Sequence, residues 1–213
     1  MDTREKIIES TSKLFMKYSI KSVTMDDIAR NMSISKKTIY KYFKDKDALV
    51  EAVTKAMLSC DGEEMERIKS RSTNAIEEVA LISSFLRSHV NEINPSLLYD
   101  LEKYHGTAWK IYLEYKHDVF IQSVIDNIQR GVEEGHFRKD VNPEILGILR
   151  MEEIQMAMDN KFYPRDKFDF RQVQIQLFEH FVYGLLTKEG RQLLEELQNK
   201  NETDETTVHR HSL

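Results

Sequence analysis

The feature that most constrains the fold is a pair of helix-start signals eleven residues apart, at Thr24 and Ser35. Thr24 is followed three residues later by Asp27, and Ser35 precedes a basic run, so each hydroxyl can cap free backbone N–H groups. Residues 32–35 leave room only for a turn. The segment therefore predicts two short helices joined by a tight turn, a helix-turn-helix.

The second of these helices has two chemically different faces. At ~100° per residue, Ile39 and Phe43 lie on one side, and Lys37, Lys41 and Lys44 lie opposite. Lysines neutralise phosphates, while threonine and tyrosine side chains can contact bases and phosphates, so this face is typical of a major-groove reader. A solvated basic face is the alternative. The expected contacts with double-stranded DNA are Thr24, Ser35, Lys36, Lys37, Thr38, Tyr40, Lys41, Tyr42 and Lys46.

Helix breakers are sparse, with seven Gly and three Pro in 213 residues, and no sustained period-two alternation is visible. The chain is therefore predicted to be all-α. We expect a helix-turn-helix domain at residues 1–48 and a larger helical ligand-binding and dimerisation domain at residues 49–198. Residues 199–213 have too few apolar side chains to pack and are expected to form a disordered tail.

Charge is divided unevenly along the chain. Residues 1–50 contain 11 Lys and Arg against 7 Asp and Glu, whereas residues 51–213 contain 20 against 29. The basic character is thus confined to the expected DNA-reading part, and the acidic remainder should be repelled from a duplex.

Other classes of protein find little support in the sequence. No apolar run approaches the ~20 residues of a membrane span and no secretion signal is seen, so a cytoplasmic protein without a membrane segment is expected. The single Cys60 is interpreted as an inert thiol. His209 and His211 lack further ligands, so no metal and no cofactor is expected. An enzyme is the competing class, but catalytic motifs such as H-E-x-x-H and G-x-S-x-G are absent.

Residues 24–29 (TMDDIA) and 34–49 (ISKKTIYKYFKDKDAL) resemble the N-terminal DNA-binding signature of the TetR/AcrR family of bacterial one-component repressors. The resemblance is strong over residues 3–50, and the remainder agrees in length and helical character. Ser19 and Ser33 stand where the family often has glycine, and Lys37 stands where glycine is frequent in the recognition helix. Ser33 is therefore expected to adopt the turn conformation under strain.

The resemblance implies an effector pocket within the body. Aromatic residues and histidines cluster in the corresponding helices, although such stripes usually form ordinary core. The residues expected to contact a small-molecule ligand are Phe85, His89, Tyr99, Tyr104, Trp109, Tyr112 and Phe120.

The resemblance also implies a homodimer that pairs through the last two long helices. These are predicted from Asn142 to about Asn160 and from about Phe168 onward, with Gly184 and Gly190 permitting close approach or marking a break. Coverage by the same chain is the alternative for the apolar residues of the last stretch. These residues are Phe178, Phe181, Val182, Leu185, Leu186, Leu193, Leu194 and Leu197.

The function expected from the sequence is a homodimeric repressor that binds a palindromic operator and leaves it when a small-molecule effector enters the body. The alternative is a DNA-binding regulator whose body is a protein-interaction platform without a small ligand, or an activator.

Overall fold

The computed structural model describes the backbone of residues 2–210 and the side chains of residues 2–91 and 93–199. Within these residues the chain is all-α, with one isolated bridge between Phe137 and Leu186. The first six helices are α1 Thr3–Tyr18, α2 Met25–Asn31, α3 Lys36–Tyr40, α4 Lys46–Arg71, α5 Ala75–His89 and α6 Leu97–Tyr104. The others are α7 Gly106–Tyr115, α8 Gln122–Glu133, α9 Pro143–Met158, α10 Phe170–Leu185 and α11 Lys188–Arg210.

The helix-turn-helix is confirmed with the predicted caps. The Thr24 hydroxyl accepts from the Asp27 amide at 3.2 Å, and the Asp27 carboxylate accepts from the Thr24 amide at 2.9 Å. The Ser35 hydroxyl accepts from the Thr38 amide at 3.1 Å and so starts α3. These bonds satisfy N–H groups that a helix leaves free, which fixes where α2 and α3 begin.

The apolar core of the headpiece does not end at residue 48. Its buried residues include Ile7, Ile28 and Ile39, and the same cluster contains Leu97 of α6 and Ala108 of α7. The long helix α4 also packs on both α1 and α7. The headpiece and the body therefore share one apolar core, and α4 and α6 join the two parts.

A second apolar cluster fills the body. It contains Ile76 of α5, Ile128 of α8 and Phe137 of the loop after α8, together with all eight apolar residues that were expected at a subunit interface. Those eight residues, from Phe178 to Leu197, pack in the core of their own chain. Four of them are buried and four are partly buried, and pairing of subunits through the last two long helices stays a prediction.

Two predicted helices are interrupted. Helical spacing over residues 107–134 predicts one long helix that ends at Gly135. The structure interrupts it with a π-helical stretch, Lys116–Ile121, between α7 and α8, and the segment ends at Gly135, which has φ 79°. The stretch expected from residue 168 onward breaks after Leu185. There the Thr187 amide donates to the His136 carbonyl at 2.9 Å, and the Arg138 amide donates to the Leu185 carbonyl at 2.8 Å. These bonds join two distant segments of the same chain and replace the helical bonds. Helical periodicity in the sequence does not predict such a break.

The last helix, α11, continues to Arg210 through most of the segment expected as a disordered tail. The polar composition behind that expectation argues against packing, but it does not forbid helical backbone, since Glu, Gln and Lys are good helix formers. The boundary at residue 198 stays a prediction. Residues 211–213, including His211, lie outside the described residues.

Two serines adopt positive φ, and both are positions at which the family often has glycine. Ser33, in the turn before α3, has φ 55°, and Ser19, after α1, has φ 73° with ψ 158°. The Ser19 conformation lies in a region reserved almost entirely for glycine and costs on the order of 1–3 kcal/mol for other residues. The strain expected at Ser33 is present, and Ser19 is the more strained residue.

Replacing Ser19→Gly should raise the free energy of unfolding by about 1 kcal/mol, because glycine adopts this conformation without a Cβ clash. Urea denaturation at fixed protein concentration measures the effect. The matched control is Ser59→Gly at an exposed position inside α4, which should lower the free energy of unfolding by about 0.5–1 kcal/mol. A loss of stability in both variants would contradict the assigned strain at Ser19.

Candidate nucleic-acid interface

The short helix α3 separates its faces as the sequence predicts. Ile39 and Phe43 are buried, at 0% and 3% exposure, and hold the helix against α1 and α2. The opposite face carries most of the expected DNA contacts. Its exposed residues are Ser35, Lys36, Lys37, Tyr40, Lys41 and Tyr42, with Thr24 exposed at the start of α2.

Some of these side chains are fixed and others are available. Ser35 and Thr38 share a hydrogen bond between hydroxyls at 2.8 Å, and the Lys36 ammonium pairs with Asp26 at 2.9 Å. The ammonium groups of Lys37 and Lys41 have no hydrogen-bond or ion-pair partner among the described residues. The surface therefore presents two uncompensated cations beside an ordered pair of hydroxyls, which suits phosphate neutralisation next to base contacts.

Lys46 differs from the other predicted contacts. Its ammonium donates to the Ile20 carbonyl at 2.6 Å, and the half-buried side chain ties the start of α4 to the loop after α1. Burial lowers the pKa of Lys46 from its ordinary value, while nearby carboxylates oppose this. This bond uses one of the three N–H donors of the ammonium, so in the structure Lys46 helps to hold the headpiece together, and its phosphate contact stays a prediction.

Arg4 was missed by the sequence reasoning. It is exposed at the start of α1, and its guanidinium lies 5.2 Å above the ring of Phe43, immediately after α3. This cation–π contact brings a further positive charge to the α3 side of the headpiece. No local pattern indicates it, because α1 and Phe43 are distant in sequence.

The headpiece is also tied to α6 by polar contacts. The Asp100 carboxylate, 3% exposed, accepts from the Lys21 amide at 2.9 Å, and the Lys21 ammonium donates to the Tyr104 hydroxyl at 3.1 Å. This bond lowers the pKa of Tyr104. His105 contacts Asp47 of α4 at 2.7 Å. Tyr104, expected to contact a ligand, therefore links the body to the DNA-reading unit instead.

The body contains a cavity of about 130 Å³ among α4, α5, the π-helical stretch, α8, α9 and α10. Most of its walls are apolar. They include Val79, Ile82, Val119, Phe120, Val124, Ile128, Phe178, Phe181, Val182 and Leu185. Phe120 is the one predicted ligand contact that lies there.

The other predicted ligand contacts lie elsewhere. Phe85 and His89 stack on each other with centroids 4.3 Å apart, and Trp109 stacks on Tyr112 at 5.2 Å. Tyr99 is 55% exposed. The sixth, Tyr104, accepts a hydrogen bond from Lys21. Clustering in sequence predicted these positions, but the rotation of each helix decides which side chains reach the cavity, so the candidate ligand site moves to the cavity itself.

Two buried charged residues line the cavity, and neither was singled out from the sequence. Arg150 of α9 is 6% exposed, and its Nη1 lies 3.4 Å from Glu153 Oε2. Glu78 of α5 is 3% exposed, and its Oε2 lies 3.5 Å from Arg130 Nη1. Burial raises the pKa of Glu78. A buried charge is costly unless it is paired, so each of these residues marks the cavity as a candidate binding site.

Other candidate chemistry is limited in the part of the chain that the structure describes. No helix there is long and apolar enough to cross a bilayer, and no group of three or more His, Cys, Asp or Glu is placed to hold a metal ion. Cys60 is an exposed free thiol.

Comparison with known proteins agrees with this architecture. Residues 7–53 match the family model described as bacterial regulatory proteins, tetR family. The uncharacterized HTH-type transcriptional regulator YvaF of Bacillus subtilis is 26% identical over 194 residues, covering 89% of this chain and 97% of that protein.

Solved structures share the fold at low sequence identity. A TetR-family regulator from Agrobacterium tumefaciens has a TM-score of 0.74 at 12% identity, covering 86% of this chain and 97% of that one. A regulator from Saccharomonospora viridis in complex with choline has a TM-score of 0.71 at 14% identity, covering 87% and 98%. The helix-turn-helix of residues 7–53 belongs to the tetR family of bacterial regulatory proteins, and over most of its length the chain is similar to an HTH-type transcriptional regulator and to TetR-family structures.

Proposed function

We propose that the protein is a homodimeric repressor that binds a near-palindromic operator and releases it when a small molecule enters the body cavity. The observation that supports this most directly is the α3 surface, where Lys37 and Lys41 lack partners among the described residues, joined through α4 and α6 to a body with an apolar cavity. A headpiece covering residues 1–48 and a body covering residues 49–198 are part of this proposal.

The operator half-site is read by α3. Lys41 and Lys37 neutralise phosphates or approach bases, Thr38 offers a hydroxyl and a methyl group to base edges, and Tyr40 is 44% exposed beside them. One helix of this length covers only a few base pairs. Useful specificity then requires a second half-site one helical turn away, about 34–36 Å along the duplex, which a two-fold symmetric dimer supplies.

The surface proposed for pairing is the outer face of α9 together with α10. Ile145, Ile148 and Leu149 are 64%, 52% and 45% exposed, and their i, i+3, i+4 spacing places them on one side of the helix. On α10, the exposed Gly184 has open space where a Cβ would be. An apolar stripe beside a position without a side chain permits close approach of a second copy. This surface uses the two helices that were expected to pair, but its apolar contacts come from exposed residues of α9.

The effector is proposed to act through α4. This helix lines the cavity with Gly62 and Met65 and starts in the headpiece core with Leu49. A ligand that fits the cavity better in one arrangement of α4 favours that arrangement, and the separation of two headpieces changes with it. The choline complex of the Saccharomonospora viridis regulator supports small-molecule binding in a body of this fold.

The DNA-reading roles are tested with fluorescence anisotropy on the protein's own upstream DNA and on a scrambled duplex. Lys41→Ala should weaken binding to both duplexes and reduce the salt slope by about 1, since one phosphate contact is lost. Thr38→Ala should lower affinity for the cognate duplex by about tenfold and leave the scrambled duplex little changed. Lys37→Ala should combine the two effects.

Lys110→Ala is the matched control, because this lysine is 77% exposed on α7 of the body. It should leave both affinities unchanged. Equal affinity of the wild-type protein for the upstream and scrambled duplexes would contradict specific repression. Identical losses for Lys41→Ala and Thr38→Ala on both duplexes would contradict the division of roles.

A further inference from the structure

The cavity contains a buried guanidinium whose hydrogen-bonding capacity is largely unused. Arg150 reaches the cavity from α9, and its side chain is 7% exposed. The guanidinium lies 5.1 Å from the ring centroid of Phe178 and 5.9 Å from that of Phe181, which also line the cavity. These contacts orient the plane of the group without occupying its N–H donors.

A guanidinium has five N–H donors arranged in a planar fork. Among the described residues, the one hydrogen bond of the Arg150 side chain runs from Nη1 to Glu153 Oε2, and at 3.4 Å it is longer than a normal charge-assisted bond. Burial lowers the pKa of Arg150 from its ordinary value. A buried cation with so few acceptors is poorly compensated, so an additional acceptor in the cavity would be favourable.

The other buried charge in the cavity is paired at a similar distance. The carboxylate of Glu78 lies 3.5 Å from Arg130, and Lys69 adds positive charge on the same side. Glu78 Oε2 has no hydrogen-bond partner in the described part of the chain, but the ion pair with Arg130 offsets its charge. Glu66, the remaining carboxylate in the lining, is exposed to water. Glu78 therefore has positive charge from both Arg130 and Lys69, whereas Arg150 is paired with Glu153 alone, at 3.4 Å, and keeps unused N–H donors.

The size and the lining of the cavity limit which ligands can bind to Arg150. Its volume of about 130 Å³ is close to that of an apolar cavity of about 150 Å³ that holds one benzene ring. Most of the lining is apolar, with Val79, Ile82 and Phe120 among the residues. A ligand of this volume carries one aromatic ring or a short alkyl chain, and a second charged group would face apolar surface.

We propose that the effector of this regulator is a small apolar monocarboxylate, an aryl or short-chain alkyl acid, whose carboxylate accepts hydrogen bonds from the unused N–H donors of Arg150. This inference rests on the proposed function, because it names the ligand class of the same cavity. The ring or chain lies against the apolar wall, and the carboxylate forms the paired contact that Glu153 makes only at 3.4 Å.

The experiment uses three probes of nearly equal size: benzoate, benzyl alcohol and benzylamine. Isothermal titration of the full chain should show benzoate binding at least about tenfold more tightly than benzyl alcohol, because a charge-assisted pair replaces a neutral contact. Benzylamine should bind most weakly. Arg150→Met, which keeps an apolar side chain of similar length, should remove the preference for benzoate and retain binding of benzyl alcohol.

A second variant separates ligand binding from a merely structural role of Arg150. Glu153→Gln keeps the shape of the side chain but removes the competing negative charge, so the affinity for benzoate should rise severalfold. If Arg150 served only to pair with Glu153 in the core, this substitution would leave benzoate binding unchanged or absent. Glu144→Gln, at an exposed position in the first turn of α9, is the control and should have no effect.

Each outcome bears on the inference separately from the proposed function. Benzyl alcohol binding as tightly as benzoate, or benzylamine binding more tightly, would overturn the carboxylate assignment and leave the cavity as a ligand site. Failure of benzoate to bind at millimolar concentration would also overturn it. The proposed repressor function is judged independently, by the affinity for the upstream duplex without any probe.

Discussion

Replacing Ile148→Glu should convert the proposed dimer into a monomer and lower the affinity for a two-half-site operator by about 100-fold or more. Ile148 is 52% exposed in the middle of the apolar stripe of α9, between Ile145 and Leu149. In a two-fold symmetric interface the same surface meets itself, so each substitution places two carboxylates in an apolar contact. The loss of pairing removes one of the two half-site contacts, and affinity falls because the second binding event is no longer intramolecular.

Sedimentation velocity at micromolar concentration measures the subunit state, and anisotropy on one-half-site and two-half-site duplexes measures DNA binding. Leu113→Glu is the matched control, since Leu113 of α7 is 39% exposed and lies outside the stripe. It should remain dimeric with unchanged affinity. A dimeric Ile148→Glu protein would show that the subunits pair through a different surface.

Local signals in the sequence predicted the headpiece well. The caps at Thr24 and Ser35 depend on bonds to residues three positions away, so the information is contained in a few adjacent residues. The same is true of the cap at Asn142, whose side chain accepts from the amides of the first turn of α9. Ser19 and Ser33 could be singled out because glycine is common there in the family, and both have positive φ.

Features that depend on contacts between distant residues could not be predicted in this way. Lys46 was predicted to contact phosphate because it follows the basic run, and in the structure its ammonium donates a hydrogen bond to the Ile20 carbonyl. Tyr104 was predicted to contact a ligand, and in the structure its hydroxyl accepts a hydrogen bond from Lys21 of the headpiece. In both cases the partner comes from the loop after α1, and nothing in the local pattern identifies which loop packs there.

The residues that line the cavity were also difficult to predict from the sequence. Aromatic residues were chosen because they cluster in sequence, whereas the cavity is defined by one face from each of several helices, and Phe120 alone belongs to both sets. The two buried charged residues of the cavity, Arg150 and Glu78, were not predicted, because a charged residue in a helix usually lies on a solvent-exposed face. Burial of a charge becomes visible only when neighbouring helices are in place.

The apolar residues of the last stretch show why sequence alone does not separate a core from a subunit interface. Residues such as Phe178 and Leu194 are apolar because the chain buries them in its own core. The exposed apolar stripe on α9 is shorter and attracts less attention in the sequence. A pairing surface is therefore better indicated by apolar side chains that remain exposed after folding than by the most apolar helix.

The second large effect is expected at Gly190, near the start of α11. Its amide donates to the Thr187 hydroxyl at 3.1 Å, and a Cβ at this position would lie 3.0 Å from the carbonyl carbon of His136 and closer still to its oxygen. This carbonyl accepts the Thr187 amide in the break between α10 and α11. Backbone cannot move away as a flexible side chain can, so the bonds across the break must be distorted.

Gly190→Ala should therefore lower the free energy of unfolding by about 3 kcal/mol, near the upper end of overpacking effects. Urea denaturation at fixed protein concentration measures it, since pairing in the proposed dimer would add to the stability. Gly106→Ala is the control, because Gly106 is exposed at the start of α7 with nothing within 4 Å of its added Cβ. That variant should be unchanged or more stable by up to about 1 kcal/mol, as alanine favours a helix. Equal stability of the two variants would mean that the carbonyl of His136 does not approach α11 as closely as described.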